Sequence, residues 1–179
     1  MQSRVFGGTF ISHLKLNGRD VDVDSRETLQ APVDKINLLE IEISSLSSLI
    51  NKNISNAEEY LEKLIPGIRK ASELFHSGND QEANKFFLKI VDGIEWFSQV
   101  IDAVLKIMGD KGDALYLNRK SVLERKQQLL DLTSQMLTAN KNKDWVLLAD
   151  LLEYEIMPYY QEWQRTLPEL RQAGLEKIN

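Results

Sequence analysis

The chain predicts a mainly α protein, an antiparallel four-helix bundle of two helical hairpins preceded by a small N-terminal antiparallel β-meander. Three observations carry this. The hydrophobic period changes from two to about 3.5 near Ser44. Polar turns then cut the chain into four long amphipathic segments. The connections between them are short, which favours antiparallel neighbours. Residues 1–44 are assigned to the meander and 45–179 to the bundle.

In the first strand, Thr9 to Leu16, Phe10, Ser12, Leu14 and Leu16 fall on one face and Ile11, His13 and Lys15 on the other. Asn17-Gly18 follows, a strong hairpin signal because a type I′ turn needs positive φ at both central residues. Alternation returns from Arg19 to Val23. After Asp24-Ser25-Arg26 and Pro32 it resumes in residues 36–43, where Leu39, Ile41 and Ile43 alternate with Glu40 and Glu42. A hairpin alone is marginal in water, so the apolar face of this meander is expected to pack on the helices.

The first helical stripe runs through Leu46, Leu49/Ile50, Ile54, Ala57, Leu61, Leu64, Ile68, Ala71 and Phe75, with a kink or break expected at Pro66. His76-Ser77-Gly78 closes it, and Asn79 with Glu82 has the spacing of a capping box for the second helix. That helix carries Ala83, Phe86/Phe87, Ile90, Ile94, Phe97, Ile101, Val104/Leu105 and Met108 inward, and ends at the glycine-rich residues 109–113. A third helix is expected from about Ala114 to Ala139, with Leu115, Val122/Leu123, Leu129/Leu130, Thr133 and Met136/Leu137 inward. Asp144 is the expected N-cap of the last helix, whose stripe is Trp145, Leu148, Leu152, Ile156, Tyr159, Trp163, Leu167 and Leu170, interrupted at Pro158 and Pro168. The punctuation at Leu74 to Asp80 returns at Met136 to Asp144, about 64 residues on, which suggests a duplicated helical hairpin.

Composition narrows the function. The net charge of −5 disfavours a dedicated nucleic-acid binder, and the basic cluster Arg119-Lys120 with Arg125-Lys126, interrupted by Glu124, reads as a solvated helix face. With no cysteine there is no disulfide, thiolate metal site or thiol nucleophile. No apolar stretch approaches the roughly 20 residues of a membrane span, and residues 1–10 lack the pattern of a secretory signal, so a cytoplasmic protein is expected.

The residues offer no catalytic set. Gly7-Gly8-Thr9-Phe10 and His13 imitate the start of a nucleotidylyltransferase signature, but the Asp-Pro, the glycine and the second histidine are missing. Asp20, Asp22 and Asp24 imitate a calcium loop, but Ser25 and Ala31 stand where glycine and the bidentate glutamate belong. Glu73 and His76 form one Glu-x-x-His, where a di-iron bundle needs two. Asp150, Glu153 and Glu155 crowd the last helix, and solvated charge is the commoner reason for such a group. The expectation is therefore a protein that is not an enzyme, with no cofactor and no metal.

The aromatic residues exceed what one stripe needs. Trp96 on the second helix and Tyr154, Tyr159, Tyr160 and Trp163 on the last are the candidate partner-binding residues, with Tyr154 and Tyr160 off the stripe that carries Trp163. Residues 60–68 leading to Phe75, Glu82-Ala83 and 93–96, together with residues 144–155 leading to Pro158, give the chain a likeness over Phe10 to Trp163. It resembles an uncharacterised family of small helical proteins from Gram-positive, spore-forming bacteria. That resemblance implies the fold and carries no activity. In architecture and charge, though in no motif, the chain is loosely similar to flagellar export chaperones. The leading expectation is a non-enzymatic adaptor or chaperone-like protein that binds a protein partner through a groove exposing Trp163 or Tyr160. The alternatives are a self-associating structural protein, and a ligand-binding protein or enzyme with a pocket lined by Glu155, Asp150 or Arg165.

Overall fold

The computed structural model describes residues 9–22, 30, 32, 35–109 and 115–178. The expected Gly7-Gly8 lead-in, the Val23 to Arg26 segment, Ala31, residues 110–113 and Ala114 lie outside these. The strands are β1 (Thr9–Leu16), β2 (Arg19–Asp20) and β3 (Leu39–Ser45); the long helices are α1 (Leu46–His76) and α2 (Asp80–Met108). A two-stranded ribbon, β4 (Tyr116–Leu117) and β5 (Lys120–Ser121), leads into α3 (Val122–Lys141). The last rod joins α4 (Trp145–Asp150), a wide π-helical segment (Leu151–Ile156) and α5 (Met157–Ile178).

The antiparallel three-stranded sheet is present, in the order β2-β1-β3 with β1 central. Asn17 and Gly18 have φ of 51° and 79°, as the hairpin requires. The Asn17 side chain also holds the approach to β3: its Oδ1 accepts from the backbone N–H groups of Asn37 and Leu38, and its Nδ2 donates to Lys35 O. The faces of β1 differ from simple alternation. Ile11 pairs with Ile43, but beyond the register shift His13 pairs with Glu42 and Leu14 with Ile41. The extra residue is Ser12, whose Oγ donates to Glu42 O. This bulge moves Ile11 onto the face of Leu14 and Leu16, opposite Ile43, Ile41 and Leu39.

That aliphatic face does not join the bundle core, contrary to expectation. None of its residues belongs to the contiguous buried cluster, and Leu39, Ile41 and Ile43 are 49%, 48% and 66% exposed. The reason is the connection. β3 runs straight into α1 through the Ser45 N-cap, whose side chain accepts from Ser48 N, and no loop folds the strand back on the helices.

The helical part matches the expected bundle closely, with α1 at its centre, packed on α2, α4, the π segment and α5. Its buried stripe runs from Ile50 to Phe75 as the periodicity predicts. Pro66 does not break α1, which is continuous over 31 residues. α2 lies close on α1 because Gly93 has no side chain; a Cβ there would strike the Tyr60 hydroxyl. The capping box expected at Asn79 and Glu82 is not formed, since the Asn79 side chain makes no cap hydrogen bond. A complete one stands elsewhere. Ser121 Oγ accepts from Glu124 N, and Glu124 reaches back to Ser121 N. It marks the true start of α3, eight residues later than expected, because Leu115 to Ser121 turns back on itself as the β4–β5 ribbon.

The duplicated punctuation is a duplicated structure. Ser77, Gly78 and Asn79 donate their N–H groups to Glu73, Phe75 and Leu74, and Asn142, Lys143 and Asp144 repeat the pattern on Thr138, Asn140 and Ala139. Both turns reverse through a left-handed residue, Gly78 (φ 73°) in the first and Lys143 (φ 57°) in the second. A side chain at such a φ costs about 1–2 kcal/mol, partly offset by the chain entropy of glycine. Lys143→Gly is therefore expected to raise stability by about 0.5–1 kcal/mol in urea denaturation, whereas Gly78→Ala lowers it.

The last helix passes through both prolines. The π segment ends just before Pro158, whose ring would meet the carbonyl four residues back in a regular α-helix. The wider turn opens that space.

Candidate functional site

Three of the five aromatic candidates gather in one place. Phe97 of α2 meets Tyr160 edge-on at 5.4 Å and Trp163 at 5.6 Å, and Tyr159 meets Tyr160 at 5.1 Å. The expected groove exposing Trp163 or Tyr160 is not found: Trp163 is 2% exposed and Tyr160 fully buried. α5 packs on both α1 and α2, so its buried face is broader than a single stripe and takes in Tyr160. Trp96 and Tyr154 stand apart. Trp96 is half-buried against Tyr60 at 4.5 Å, while Tyr154 on the π segment is exposed.

Burial governs the chemistry of the tyrosines. Desolvation pushes the Tyr159 hydroxyl up to about 12 and that of Tyr160 well above its ordinary value of 10.0. A raised folded-state pKa means that the native chain holds protons the unfolded chain has lost, so this stability is complete below pH 10 and declines as pH rises toward 12 and beyond. Alkaline titration followed by circular dichroism is expected to show cooperative unfolding above about pH 10–11. Tyr159→Phe, which cannot ionise, should move that midpoint upward.

Tyr159 and Trp163 floor an open cleft of about 250 Å³ between α2 and α3. Phe97, Ser98, Ile101 and Asp102 form one wall, and Lys126, Leu129 and Leu130 the other. Lys126 Nζ reaches Asp102 Oδ1 at 2.9 Å across it. Leu130 stands at the cleft with 64% exposure. It is the middle of a line: Leu123 and Leu137, one heptad to each side, are 60% and 50% exposed. The periodicity assigned these leucines inward with Val122, Leu129 and Met136. In the structure α3 turns Val122, Leu132, Met136 and Ala139 to the core and leaves the heptad leucines in solvent. From Gln127 to Asn140 its only charged residue is Asp131.

Arg125, read as part of a solvated basic face, is instead fully buried. It occupies the inward seam between Val122 and Leu129. Its Nη2 donates to Leu117 O at 2.8 Å and to Glu162 Oε1 at 3.1 Å, and its guanidinium lies 5.3 Å from the Trp163 ring. Tyr159 Oη donates to the Arg125 carbonyl at 3.2 Å. This set fastens the β4–β5 ribbon, α3 and α5 together under the cleft.

The titratable residues singled out for chemistry are held otherwise. His13 Nε2 lies 2.7 Å from Asp20 Oδ1, an exposed cross-hairpin pair. Glu73 faces Lys70, while His76 Nε2 stands 3.5 Å from Asp150 and 3.9 Å from Glu153. Ser72 Oγ, buried, divides its hydrogen bond between Ala149 O and Glu153 Oε2. This group ties the end of α1 to the π segment. Among the described residues no His, Asp and Glu side chains converge in a metal-holding arrangement. Glu155 and Arg165 are exposed, and neither they nor Asp150 line the cleft.

A family model for a domain of unknown function, DUF8042, matches residues 52–166. The chain belongs to the DUF8042 family. The match runs from the first turns of α1 to the middle of α5, so it covers the cleft, its aromatic floor and the π segment of this DUF8042 protein. No curated protein and no solved structure matches the chain. Among the described residues no helix is long and apolar enough to cross a membrane.

Proposed function

We propose that this DUF8042 protein is a non-enzymatic adaptor or chaperone-like module of the cell interior, which receives the apolar face of a partner helix along α3. What supports the reading is Leu130, a large aliphatic side chain left in solvent at the edge of an apolar cleft. Leu123 and Leu137 extend that edge over four turns of α3, and the face is poor in charge, as the centres of interfaces are. The cleft is smaller than the roughly 300–1,000 Å³ of a usual small-molecule site and open along one side, which suits one anchoring side chain better than a metabolite. Tyr159 and Trp163 supply its floor, so two of the aromatic candidates contribute from below. The acidic helical build is shared with secretion-type chaperones of the flagellar kind, which is a likeness of architecture.

Leu130→Glu is the test. As a surface change it should alter stability by no more than about 0.5 kcal/mol. Loss of a central anchor is expected to weaken partner capture from native lysate by about 30-fold, the equivalent of about 2 kcal/mol. Equal capture by wild type and variant would sink the proposal.

The same stripe favours a second reading, self-association. With two α3 helices antiparallel about Leu130, Leu123 of one meets Leu137 of the other, and Lys126 meets Ser134 with no like charge opposite. Sedimentation equilibrium separates the two readings. A dimer dispersed by Leu130→Glu selects self-association, and a monomer throughout rejects it.

A further inference from the structure

We infer that the outer edge of β3 is a second recognition site, which takes an extended segment of another protein, alternating apolar and basic residues, as a fourth strand. The surface is separate from the α3 cleft and independent of the function proposed for it. β3 is an edge strand in the order β2-β1-β3, and among the described residues nothing pairs with its outer side. Proteins usually blunt such edges with proline, lysine, a bulge or a cover. Over its seven residues, Leu39–Ser45, β3 has no proline and no lysine, the register shift of the sheet lies in β1, and among the described residues no strand covers its outer side. Leu39, Ile41 and Ile43 remain about half exposed or more, so an added strand would extend an aliphatic face already begun by Ile11, Leu14 and Leu16.

Charge decides the occupant. Glu40 and Glu42 stand on the other face, exposed, and among the described residues neither makes an ion pair. Lys15 is opposite Glu40 in the register but not bonded to it, and His13, opposite Glu42, is committed to Asp20. A second copy of β3 is therefore a poor fit. The antiparallel register that overlaps all seven residues sets Glu42 against Glu42, and the one centred on Ile41 sets Glu40 against Glu42, where like charges directly opposite are destabilising. Of the registers that align the two aliphatic faces, only one slipped toward Ser44 avoids this, and it overlaps less of the strand. A strand with lysine or arginine at every second position meets both carboxylates and lays its apolar residues beside Leu39, Ile41 and Ile43. Main-chain hydrogen bonds then supply affinity, and the alternate side chains supply selection.

The experiment titrates the full chain with three capped hexapeptides by fluorescence polarisation. One alternates lysine with isoleucine, one alternates glutamate with isoleucine, and the third is the lysine peptide N-methylated at every second residue. The lysine peptide is expected to bind at least tenfold more tightly than either of the others, and to slow amide exchange at Leu39–Ser45. Glu40→Lys/Glu42→Lys should reverse the charge preference, whereas Leu130→Glu should leave it unchanged. Equal binding of the N-methylated peptide would reduce the effect to simple ion attraction and overturn the inference. So would exchange protection, in the free chain with no peptide bound, of the β3 amides that face away from β1, which would mean that the chain covers its own edge. A dimer that survives Leu130→Glu but is dispersed by Ile41→Lys would replace the inference with a second copy.

Discussion

Trp163→Ala is expected to destabilise the protein by about 3–5 kcal/mol, a large share of the 5–15 kcal/mol that holds a typical domain. The ring is 2% exposed, meets Phe97 edge-on at 5.6 Å and carries the Arg125 guanidinium on its face at 5.3 Å. Truncation removes both contacts and opens the cleft floor, because the helical frame around it cannot collapse into the space. At roughly 2–4 °C per kcal/mol for a chain of this size, the melting temperature should fall by about 6–20 °C. Trp163→Phe, which keeps a ring against Phe97, should cost much less. A drop of under 1 kcal/mol for the alanine variant would contradict the packing described. There is a practical corollary. Trp163→Ala combined with Tyr160→Ala, the variant that the sequence alone would choose to test binding, confounds binding with folding. Leu130 is the position that separates them.

Arg125→Ala is the second large effect, at about 3–5 kcal/mol. The loss is more than an ion pair. Glu162 is 27% exposed, so water screens part of its attraction to Arg125. The greater share comes from the buried stem, the stacking on Trp163, and the Leu117 carbonyl left without its donor at the ribbon. Among the described residues, Arg125 Nε and Nη1 have no hydrogen-bond partner. Arg125→Met with Glu162→Gln retains volume and removes both charges, and should therefore recover most of the stability lost in Arg125→Ala. Urea midpoints of the three proteins decide the matter. If Arg125→Ala behaved as a surface change, the buried placement of Arg125 would be wrong. Because Arg125 and Trp163 touch, their alanine effects should fall short of additive.

Much of this architecture is legible in the residues, and the failures have physical causes. The α1 and α2 stripes, the Asn17-Gly18 hairpin, the Asp144 cap and the repeated turn rest on local rules, and the structure has them. The start of α3 was misplaced because Leu115 is apolar and partly buried, which imitates one more helical turn, while Asn118 and Arg119 supply the positive φ values of a hairpin without a glycine to announce it. A bulge leaves no mark in a two-residue period, so Ile11 was set on the wrong face. The candidate site was half visible. Aromatic excess pointed to Tyr159, Tyr160 and Trp163, but which of them reach solvent depends on how α5 sits against α1 and α2, a long-range matter. The leucines at 123, 130 and 137 were in plain view with a strict heptad spacing. Their periodicity reads as core because apolar pairs such as Leu129-Leu130 give no sign of which member turns inward. Arg125 was hidden by its charge, although the 3–4 spacing from Val122 to Leu129 placed it in the seam.

The three tryptophans of this chain occupy three settings. Trp163 is dry and forms part of the cleft floor, Trp96 leans on Tyr60 at the α1–α2 seam, and Trp145 stacks on Phe75 near the repeated turn. With Trp96 and Trp145 each replaced by phenylalanine, the remaining indole emits from a single buried site shielded from aqueous quenchers. Anything that seats an anchor in the cleft lies against that indole, so the colour and lifetime of its fluorescence register occupancy directly, without a label.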